Sequence, residues 1–300
     1  MDKPLPNSHL VQDMSCQVCG ASRFKIFLPA THTNLSSISP DYFSPYNSSR
    51  GHFQIVECSD CKHLYCTPIV DFTNLNYRNA PMDFLIDAIP WKEISASRNL
   101  KFIERYTSRG KLLEIGSGLG AFLSAAAKRG WQATGIEPNA EAVKYLKEIG
   151  LDVTEGMFNS DNYPDRSFDC VVLDGVLDHL VDPRTVIEQC HRILKPNGTV
   201  FATVCNGRGL LPKIMGRRTL FFQYQHLNYF SRKTLITFFR SLNYTVLKIS
   251  PNLVTYPVNY YFKWIENSIP LAKVLAKQRM LNRVTWTLPV GNLEIVVRKC

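Results

Sequence analysis

The stretch Lys111-Leu-Leu-Glu-Ile-Gly-Ser-Gly-Leu-Gly120 carries more information about the fold than any other part of the chain. It starts as an apolar strand, passes an acid at position 114, and ends in alternate glycines before a helix predicted to begin near Ala121. Because glycine has no Cβ, a glycine-rich turn between a strand and a helix lets a ligand approach the backbone closely. The stretch therefore predicts a ligand-binding turn at the carboxyl end of a strand.

The acid at Glu114 distinguishes between two kinds of ligand for this turn. Gly116, Gly118 and Ala121 also fit the loose G-x-G-x-x-G/A pattern of dinucleotide sites, which is weak when it occurs alone. A diphosphate in the turn would be repelled by the carboxylate of Glu114, whereas a cationic or amino-bearing ligand would be attracted. We therefore favour a cationic ligand over a nicotinamide dinucleotide.

Further strands follow at the spacing of an α/β fold. Trp131–Ile136 predicts a second strand, and Glu137 follows it, where a carboxylate can accept hydrogen bonds from both hydroxyls of a ribose. Ser167–Leu173 predicts a buried strand that leads into Asp174, and Thr199–Val204 predicts the next strand. Strands that alternate with helices indicate a mainly parallel sheet.

These segments resemble the ordered motifs of class I S-adenosylmethionine (SAM) dependent methyltransferases. The motifs are Leu112–Gly120, Gly135–Pro138, Phe168–Asp174, Leu177–Pro183 and Ile193–Gly198. One departure is that Asp178 precedes His179 where family members often carry Glu. The resemblance implies an α/β fold with a Rossmann-like, seven-stranded methyltransferase sheet, and SAM as the cofactor.

The resemblance also implies which residues bind SAM. Glu114 and the glycine turn would surround the methionine part, Glu137 would hold the ribose, and Met157 and Phe158 would flank the adenine. The full set of implied cofactor-binding residues is Glu114, Gly116, Ser117, Gly118, Gly120, Glu137, Pro138, Met157, Phe158 and Asp174.

Two C-x-x-C pairs near the N-terminus predict a structural zinc site. Their thiols belong to Cys16, Cys19, Cys58 and Cys61, and four thiolates make a closed tetrahedral site with no open position. The alternatives are free thiols or a redox pair at one C-x-x-C, and His63 and Cys66 are spare ligands. We predict a zinc-ribbon segment over residues 1–80, with an inserted loop near Thr31–Arg50, and a methyltransferase domain over residues 81–300.

The ribbon narrows the resemblance to bacterial methyltransferases that act on sugars and other small molecules. The longer sugar C-methyltransferases of that group carry a further C-terminal domain, for which we expect no room before Cys300. That expectation favours an oxygen acceptor over a carbon acceptor. The signature Asn/Asp-Pro-Pro-Tyr/Phe of amino methylation is absent, which argues against the exocyclic amines of nucleobases.

Charge is the main clue to the partner. The formal net charge is +10, and no Asp or Glu occurs between Glu188 and Glu266. This basic interval is either a solvated surface or a field that attracts an anionic small molecule, nucleic acid or an acidic membrane surface. The sequence has no apolar run long enough for a membrane span and no signal-peptide core, and it has nine cysteines, so we expect a reducing cytoplasm.

The sequence also predicts elements around these motifs. Residues 90–108 predict a helix that joins the ribbon to the core and that we expect to lie over the cofactor. Ser231 is a good N-cap for a helix over Arg232–Ser241, and strands are expected over Tyr244–Ile249 and Leu293–Arg298.

The acceptor side is less defined. Residues 251–289 form an insertion rich in aromatic and basic residues, which we expect to be a helical lid, with a membrane or dimer contact as the alternative; the oligomeric state stays open. An alcohol acceptor needs a base, and His226 and His179 are the two candidates, although each could simply anchor its loop.

The sequence thus predicts methyl transfer from SAM to a small molecule. The favoured acceptor is the hydroxyl of a sugar carried on a nucleotide or lipid phosphate, because Arg and Lys bind phosphates well. The alternatives are an RNA methyltransferase and a scaffold that binds SAM without turnover.

Overall fold

A computed structural model of the chain describes residues 11–31, 51–70, 83–216, 219, 221–265 and 270–300. Most of the loop predicted near Thr31–Arg50 lies outside these residues. The strands are β1 (Val11–Gln12), β2 (Phe24–Leu28), β3 (Ile55–Cys58), β4 (Leu64–Cys66), β5 (Ile69–Val70), β6 (Lys111–Ile115), β7 (Gln132–Glu137), β8 (Val153–Glu155), β9 (Phe168–Asp174), β10 (Leu194–Cys205), β11 (Asn228–Tyr229), β12 (Tyr244–Pro257) and β13 (Thr285–Lys299). The α-helices are α1 (Ile89–Ile103), α2 (Ala121–Lys128), α3 (Ala140–Glu148), α4 (Pro183–Ile193), α5 (Leu210–Met215), α6 (Arg232–Ser241), α7 (Val258–Ile265) and α8 (Pro270–Leu275). Short 3-10 helices cover Asp83–Ala88, Ser160–Asn162 and Arg279–Asn282.

A seven-stranded sheet forms the centre of the molecule. Its strand order is β12-β13-β10-β9-β6-β7-β8, and the predicted Rossmann-like methyltransferase sheet is confirmed. Strands β6 to β10 pair in parallel, whereas β13 runs antiparallel to both β10 and β12. Helices cover the sheet, so Val171, Val172 and Leu173 of β9 have no exposed surface. The carboxyl ends of β6, β7 and β9 therefore meet at one edge, where ligands bind in open α/β sheets.

Local signals fix the helix ends. Asn139 accepts a hydrogen bond from Ala142 N at the start of α3, and Asp182 accepts one from Thr185 N at the start of α4. Ser231 caps α6 as the sequence predicts, in a reciprocal arrangement with Thr234. These caps satisfy amides that have no partner within their helix.

A second sheet joins the N-terminal segment to the part of the chain that forms the central sheet. Its order is β11-β4-β3-β2, so strands from residues 24–66 share a sheet with β11, which lies after the core motifs. Asn228 pairs with Tyr65, and Tyr229 pairs with Leu64. Val18 packs in the same apolar cluster as the aromatic rings on and before α6. The N-terminal segment is thereby held against the element that follows His226.

The segment 251–289 differs from the sequence expectation in its strands. We expect strands over Tyr244–Ile249 and Leu293–Arg298, whereas β12 continues to Pro257 and β13 begins at Thr285. The two extensions pair with each other, for example Tyr256 with Trp286. Helical structure is therefore confined to the part between them. No helix among the described residues is long and apolar enough to cross a membrane.

Candidate functional site

The glycine turn after β6 has the left-handed backbone that its sequence suggests. The φ angles of Gly116, Gly118 and Gly120 are +74°, +51° and +74°. A Cβ on Gly116 would lie 2.7 Å from Val176 Cγ2, whereas a Cβ on Gly118 would meet nothing within 4 Å. Gly116 is therefore required by packing, and Gly118 faces open space that a ligand can enter.

Glu137 fastens this turn to the end of β7. Its two carboxylate oxygens accept hydrogen bonds from Gly118 N at 2.7 Å and from Asn139 N at 2.9 Å. Burial nevertheless raises the pKa of Glu137. The two amides stabilise the charged carboxylate less than the water that it loses on burial would. Gly156 N donates to the carbonyl of Glu137 at 3.0 Å, so the loop that begins Gly156-Met157-Phe158 starts beside it.

Glu114 is the most strongly perturbed acid at this edge. It is 3% exposed, and its Oε2 has no hydrogen-bond partner among the described residues. Burial, reinforced by the nearby negative charges of Asp174 and Glu137, raises the pKa of Glu114 well above its usual value. Such an acid could accept a hydrogen bond from the ammonium group of a ligand, which would relieve both the missing partner and the local excess of negative charge.

Asp174 ends β9 on the other side of Glu114. It accepts a hydrogen bond from Thr203 Oγ1 at 2.6 Å, and it remains exposed to solvent although protein surrounds it on several sides. That surrounding protein raises the pKa of Asp174 despite the hydrogen bond and the positive charges of Lys92 and Arg98. Asp174 is thus an accessible acid beside Glu114 at the carboxyl edge of the sheet.

Lys92 and Arg98 are site residues that the sequence analysis does not single out. Both lie on α1, and the charge of each interacts with Asp174. Arg98 Nη1 is buried and has no hydrogen-bond partner in the described part of the chain. The only available signal is that both are basic residues on the helix predicted to lie over the cofactor.

The two candidate bases, His179 and His226, lie together. Their ring centroids are 4.6 Å apart, and each Nε2 lies 4.0 Å from a different oxygen of Asp178. Asp178 is 1% exposed, and its Oδ2 accepts a hydrogen bond from Cys205 N at 3.0 Å. Burial alone would raise the pKa of Asp178, but the two histidines and this amide hold that pKa below its usual range.

The two imidazoles differ in their surroundings. His226 Nδ1 lies 2.6 Å from the carbonyl oxygen of Phe221, and a carbonyl can only accept, so Nδ1 carries the proton and Nε2 has the lone pair. Burial lowers the pKa of His179 to about 4; the negative charge of Asp178 offsets this only in part, and His226 lowers the pKa further. His179 is therefore a weak base near neutral pH. The ligand atoms of this group lie within 4.8 Å of one another, so it could also hold a cation.

The four N-terminal cysteines converge on one point. Cys16 Sγ lies 3.4 Å from Cys61 Sγ, and Cys19 Sγ lies 3.5 Å from Cys58 Sγ. Tetrahedral zinc with Zn–S bonds of about 2.3 Å places its sulfurs about 3.8 Å apart, so the spacing suits that ion. All four are free thiols. This donor set could hold a structural zinc ion.

The spare ligands lie elsewhere. His63 is fully buried, with its Nε2 3.4 Å from Asn228 Oδ1, and Cys66 Sγ donates to the carbonyl of His226 at 3.5 Å. Among the described residues, neither belongs to the group of four cysteines.

Comparison with known proteins identifies the class. The family described as "Methyltransferase domain" matches residues 92–249, which is more than half of the chain. The chain therefore belongs to that family, and its sheet is that of a class I SAM-dependent methyltransferase.

The curated relatives match a shorter part of the chain than the family does. The chain is 33% identical over 116 residues to a ubiquinone biosynthesis O-methyltransferase of Methylococcus capsulatus, covering 36% of this chain and 49% of that protein. For the protein of the same name from Pseudomonas aeruginosa the identity is 36% over 103 residues, covering 32% and 44%. The chain thus spans about half the length of the curated relatives that it matches.

Solved structures are similar at lower identity. A SAM-dependent methyltransferase from Thermotoga maritima is 17% identical, with a TM-score of 0.49, over 73% of this chain and 94% of that one. Another from Archaeoglobus fulgidus is 17% identical, with a TM-score of 0.49, over 72% and 99%.

Proposed function

We propose that this chain transfers the methyl group of SAM to a hydroxyl of a small-molecule acceptor. The observation that carries the proposal is the buried Glu114 carboxylate, whose Oε2 has no partner in the described residues, beside a glycine turn with open space at Gly118. When bound, SAM supplies an electrophilic methyl group on a positively charged sulfur.

The proposed binding roles follow the order of the strands. Glu114 accepts a hydrogen bond from the amino group of the methionine part, and Gly116, Ser117, Gly118 and Gly120 form the floor beneath it. Glu137 and Pro138 hold the ribose, Met157 and Phe158 flank the adenine, and Asp174 closes the site toward the acceptor. The carboxylate of Glu137 is already aimed by two backbone amides, so it needs little rearrangement to meet a ribose.

His226 is the proposed general base. Its Nδ1 proton is directed at the carbonyl of Phe221, so Nε2, which also lies 3.6 Å from Cys205 Sγ, is the nitrogen that would take the proton of an acceptor hydroxyl. Asp178, 4.0 Å from Nε2, would stabilise the imidazolium that forms. His179 remains the second candidate, although burial disfavours its protonated form. In methyl transfer the remaining task is to align the acceptor and exclude water.

The proposed acceptor is a sugar on a nucleotide or lipid phosphate. Support comes from Lys92 and Arg98, which face Asp174 from α1, and from the absence of acids between Glu188 and Glu266. The names of the relatives include O-methyltransferase, which supports an oxygen acceptor. An RNA acceptor would use the same basic residues, and the experiment below separates the two.

The zinc site is proposed to be structural. Cys16, Cys19, Cys58 and Cys61 would complete the coordination of one ion, which leaves no open position for substrate. The ion would tie the loop before β2, which carries Cys16 and Cys19, to the end of β3 and the turn that follows it, which carry Cys58 and Cys61. Strand β4 in turn pairs with β11, close to His226.

Calorimetry with SAM tests the binding half of the proposal. Gly118→Arg fills the open space at the turn, and we expect it to abolish binding. Gly130→Arg is the matched control, because Gly130 also has a positive φ of +87° with nothing near its Cβ position, but it follows the end of α2 opposite to the turn. Equal binding by both variants would contradict the assignment of the turn.

Mass spectrometry tests the transfer half. A metabolite extract is incubated with the protein and isotopically labelled SAM, and the labelled product identifies the acceptor and the methylated atom. Labelled RNA, with binding that weakens steeply as salt rises, would favour the RNA methyltransferase. SAM binding without any labelled product across a broad set of acceptors would favour the non-catalytic scaffold.

A further inference from the structure

The end of the β12–β13 hairpin, with the helices between its strands, exposes many large apolar side chains. Leu271, Val274 and Met280 are 65%, 57% and 81% exposed. Val284, just before β13, and Trp286 and Leu288 on β13 are exposed as well. We call these six side chains the tip surface: Leu271, Val274, Met280, Val284, Trp286 and Leu288. Large apolar side chains that are exposed to solvent close together mark an interaction site.

Helix α8 shows the pattern most clearly. Ala272 and, just past the helix, Ala276 are buried, whereas the larger Leu271 and Val274 point outward. A helix that only packed on its own protein would bury its larger apolar side chains and expose the small ones. Exposed apolar area is unfavourable in water by about 25 cal/mol per Å². Contact with another apolar surface would therefore stabilise the outward side chains of α8.

The tip surface is attached firmly to the rest of the hairpin. The Tyr261 hydroxyl donates to the carbonyls of Trp286 and Val254 at 2.9 and 2.8 Å, and Val258 N donates to the carbonyl of Val284 at 2.9 Å. These contacts join α7 to both strands. Val284, Trp286 and Leu288 therefore lie on a hydrogen-bonded unit.

Positive charge surrounds the same side chains. Lys273, Lys277 and Arg283 are exposed, and the sequence has no Asp or Glu between Glu266 and Glu294. The neighbouring α5 continues the pattern: Leu210 and Ile214 are each 71% exposed, Lys213 is exposed, and Leu211 lies against Gly291 of β13. The surface is thus apolar and cationic together.

We propose that the tip surface docks on an anionic lipid bilayer. Apolar side chains with a Trp enter the boundary between head groups and acyl chains, while lysines and arginines pair with anionic head groups. A second copy of the chain fits less well, because lysine is depleted in the cores of protein interfaces and two copies would bring like charges together.

Sedimentation with lipid vesicles tests the proposal on the full chain. We expect binding to vesicles of phosphatidylglycerol and phosphatidylcholine in equal amounts, weaker binding in high salt, and little binding to phosphatidylcholine alone. Lys273→Gln with Lys277→Gln should weaken binding about 25-fold, since each basic residue near an anionic surface contributes about fivefold. Leu271→Asn with Val274→Asn should weaken binding more than tenfold.

Ile149→Asn is the matched control. Ile149 is 51% exposed at the end of α3, next to the opposite edge of the sheet, and its substitution should leave vesicle binding unchanged. Circular dichroism confirms that each variant folds. The measurement needs neither SAM nor acceptor, so its result is independent of the proposed methyl transfer. The proposal would be overturned by any of three results. These are no binding to vesicles, binding that does not depend on lipid charge, and a dimer in solution that dissociates in the Leu271/Val274 variant.

Discussion

Replacing Glu114 by glutamine separates its effect on ligand binding from its effect on folding. The substitution keeps the shape of the side chain and removes a buried charge whose Oε2 has no partner in the described residues. If Glu114 accepts a hydrogen bond from the amino group of SAM, the lost charge-assisted bond amounts to about 1.5–3 kcal/mol. Calorimetry should therefore show SAM affinity about 10- to 100-fold weaker in Glu114→Gln.

The same variant should change stability in the opposite direction. Because the pKa of Glu114 is raised in the folded protein, its contribution to stability is present in full below the unfolded pKa and is lost as pH rises through the folded pKa. Each unit of such a shift corresponds to about 1.4 kcal/mol. Without SAM, Glu114→Gln should be more stable than the wild type at pH 8, and its stability should fall less between pH 5 and pH 8.

Glu148→Gln provides the control, because Glu148 is an exposed acid at the end of α3 and carries the same charge. Chemical unfolding of the three proteins at several pH values supplies the stability data. The interpretation fails if Glu114→Gln binds SAM within threefold of the wild type, or if its stability depends on pH as the wild type does.

Three other predictions follow from groups described in the structure. His226→Ala should lower turnover about 10²-fold or more while SAM affinity measured by calorimetry stays unchanged; a loss below about threefold would assign His226 to loop anchoring. Elemental analysis should find about one zinc per chain and about none in Cys58→Ser; two ions per chain would indicate that Asp178, His179 and His226 hold the second. Burial would raise the pKa of Glu104, but hydrogen bonds from Arg129, Arg109 and Trp131 lower it to about 2, so its contribution is present above its unfolded pKa and is lost as pH falls through about 2. Glu104→Gln should accordingly lose about 1–2 kcal/mol of stability at pH 7, after allowance for solvent screening, and an unchanged midpoint in denaturant would refute this.

The central sheet could be predicted because its signals are local. The glycine turn before α2, the acids at the ends of β6 and β7, and the cap at Ser231 each lie within a few residues of the element that they define. Helix α6 has the predicted bounds, Arg232–Ser241. Such segments can be predicted from one sequence because the local motif and the type of element agree.

The remaining features depend on contacts between distant parts of the chain. The pairing of β11 with β4 joins residues more than 160 positions apart, and nothing in Asn228-Tyr229 indicates its partner. The roles of Lys92 and Arg98 depend on how α1 is rotated over the sheet, and a helical pattern alone does not fix that rotation. The extended hairpin beyond Ile249 was missed because the aromatic and basic composition of that segment also suits a helix.

The pairing of β4 with β11 also dictates the order in which the molecule can be completed during synthesis. The four cysteines and strands β2 to β4 precede the large sheet in the chain, so the proposed zinc ion could bind before that sheet exists. One edge of β4 nevertheless stays unpaired until Tyr229 has been made, and an unpaired strand edge is a site of association with other chains. The nascent protein must keep that edge covered while more than half of its sequence is still being translated.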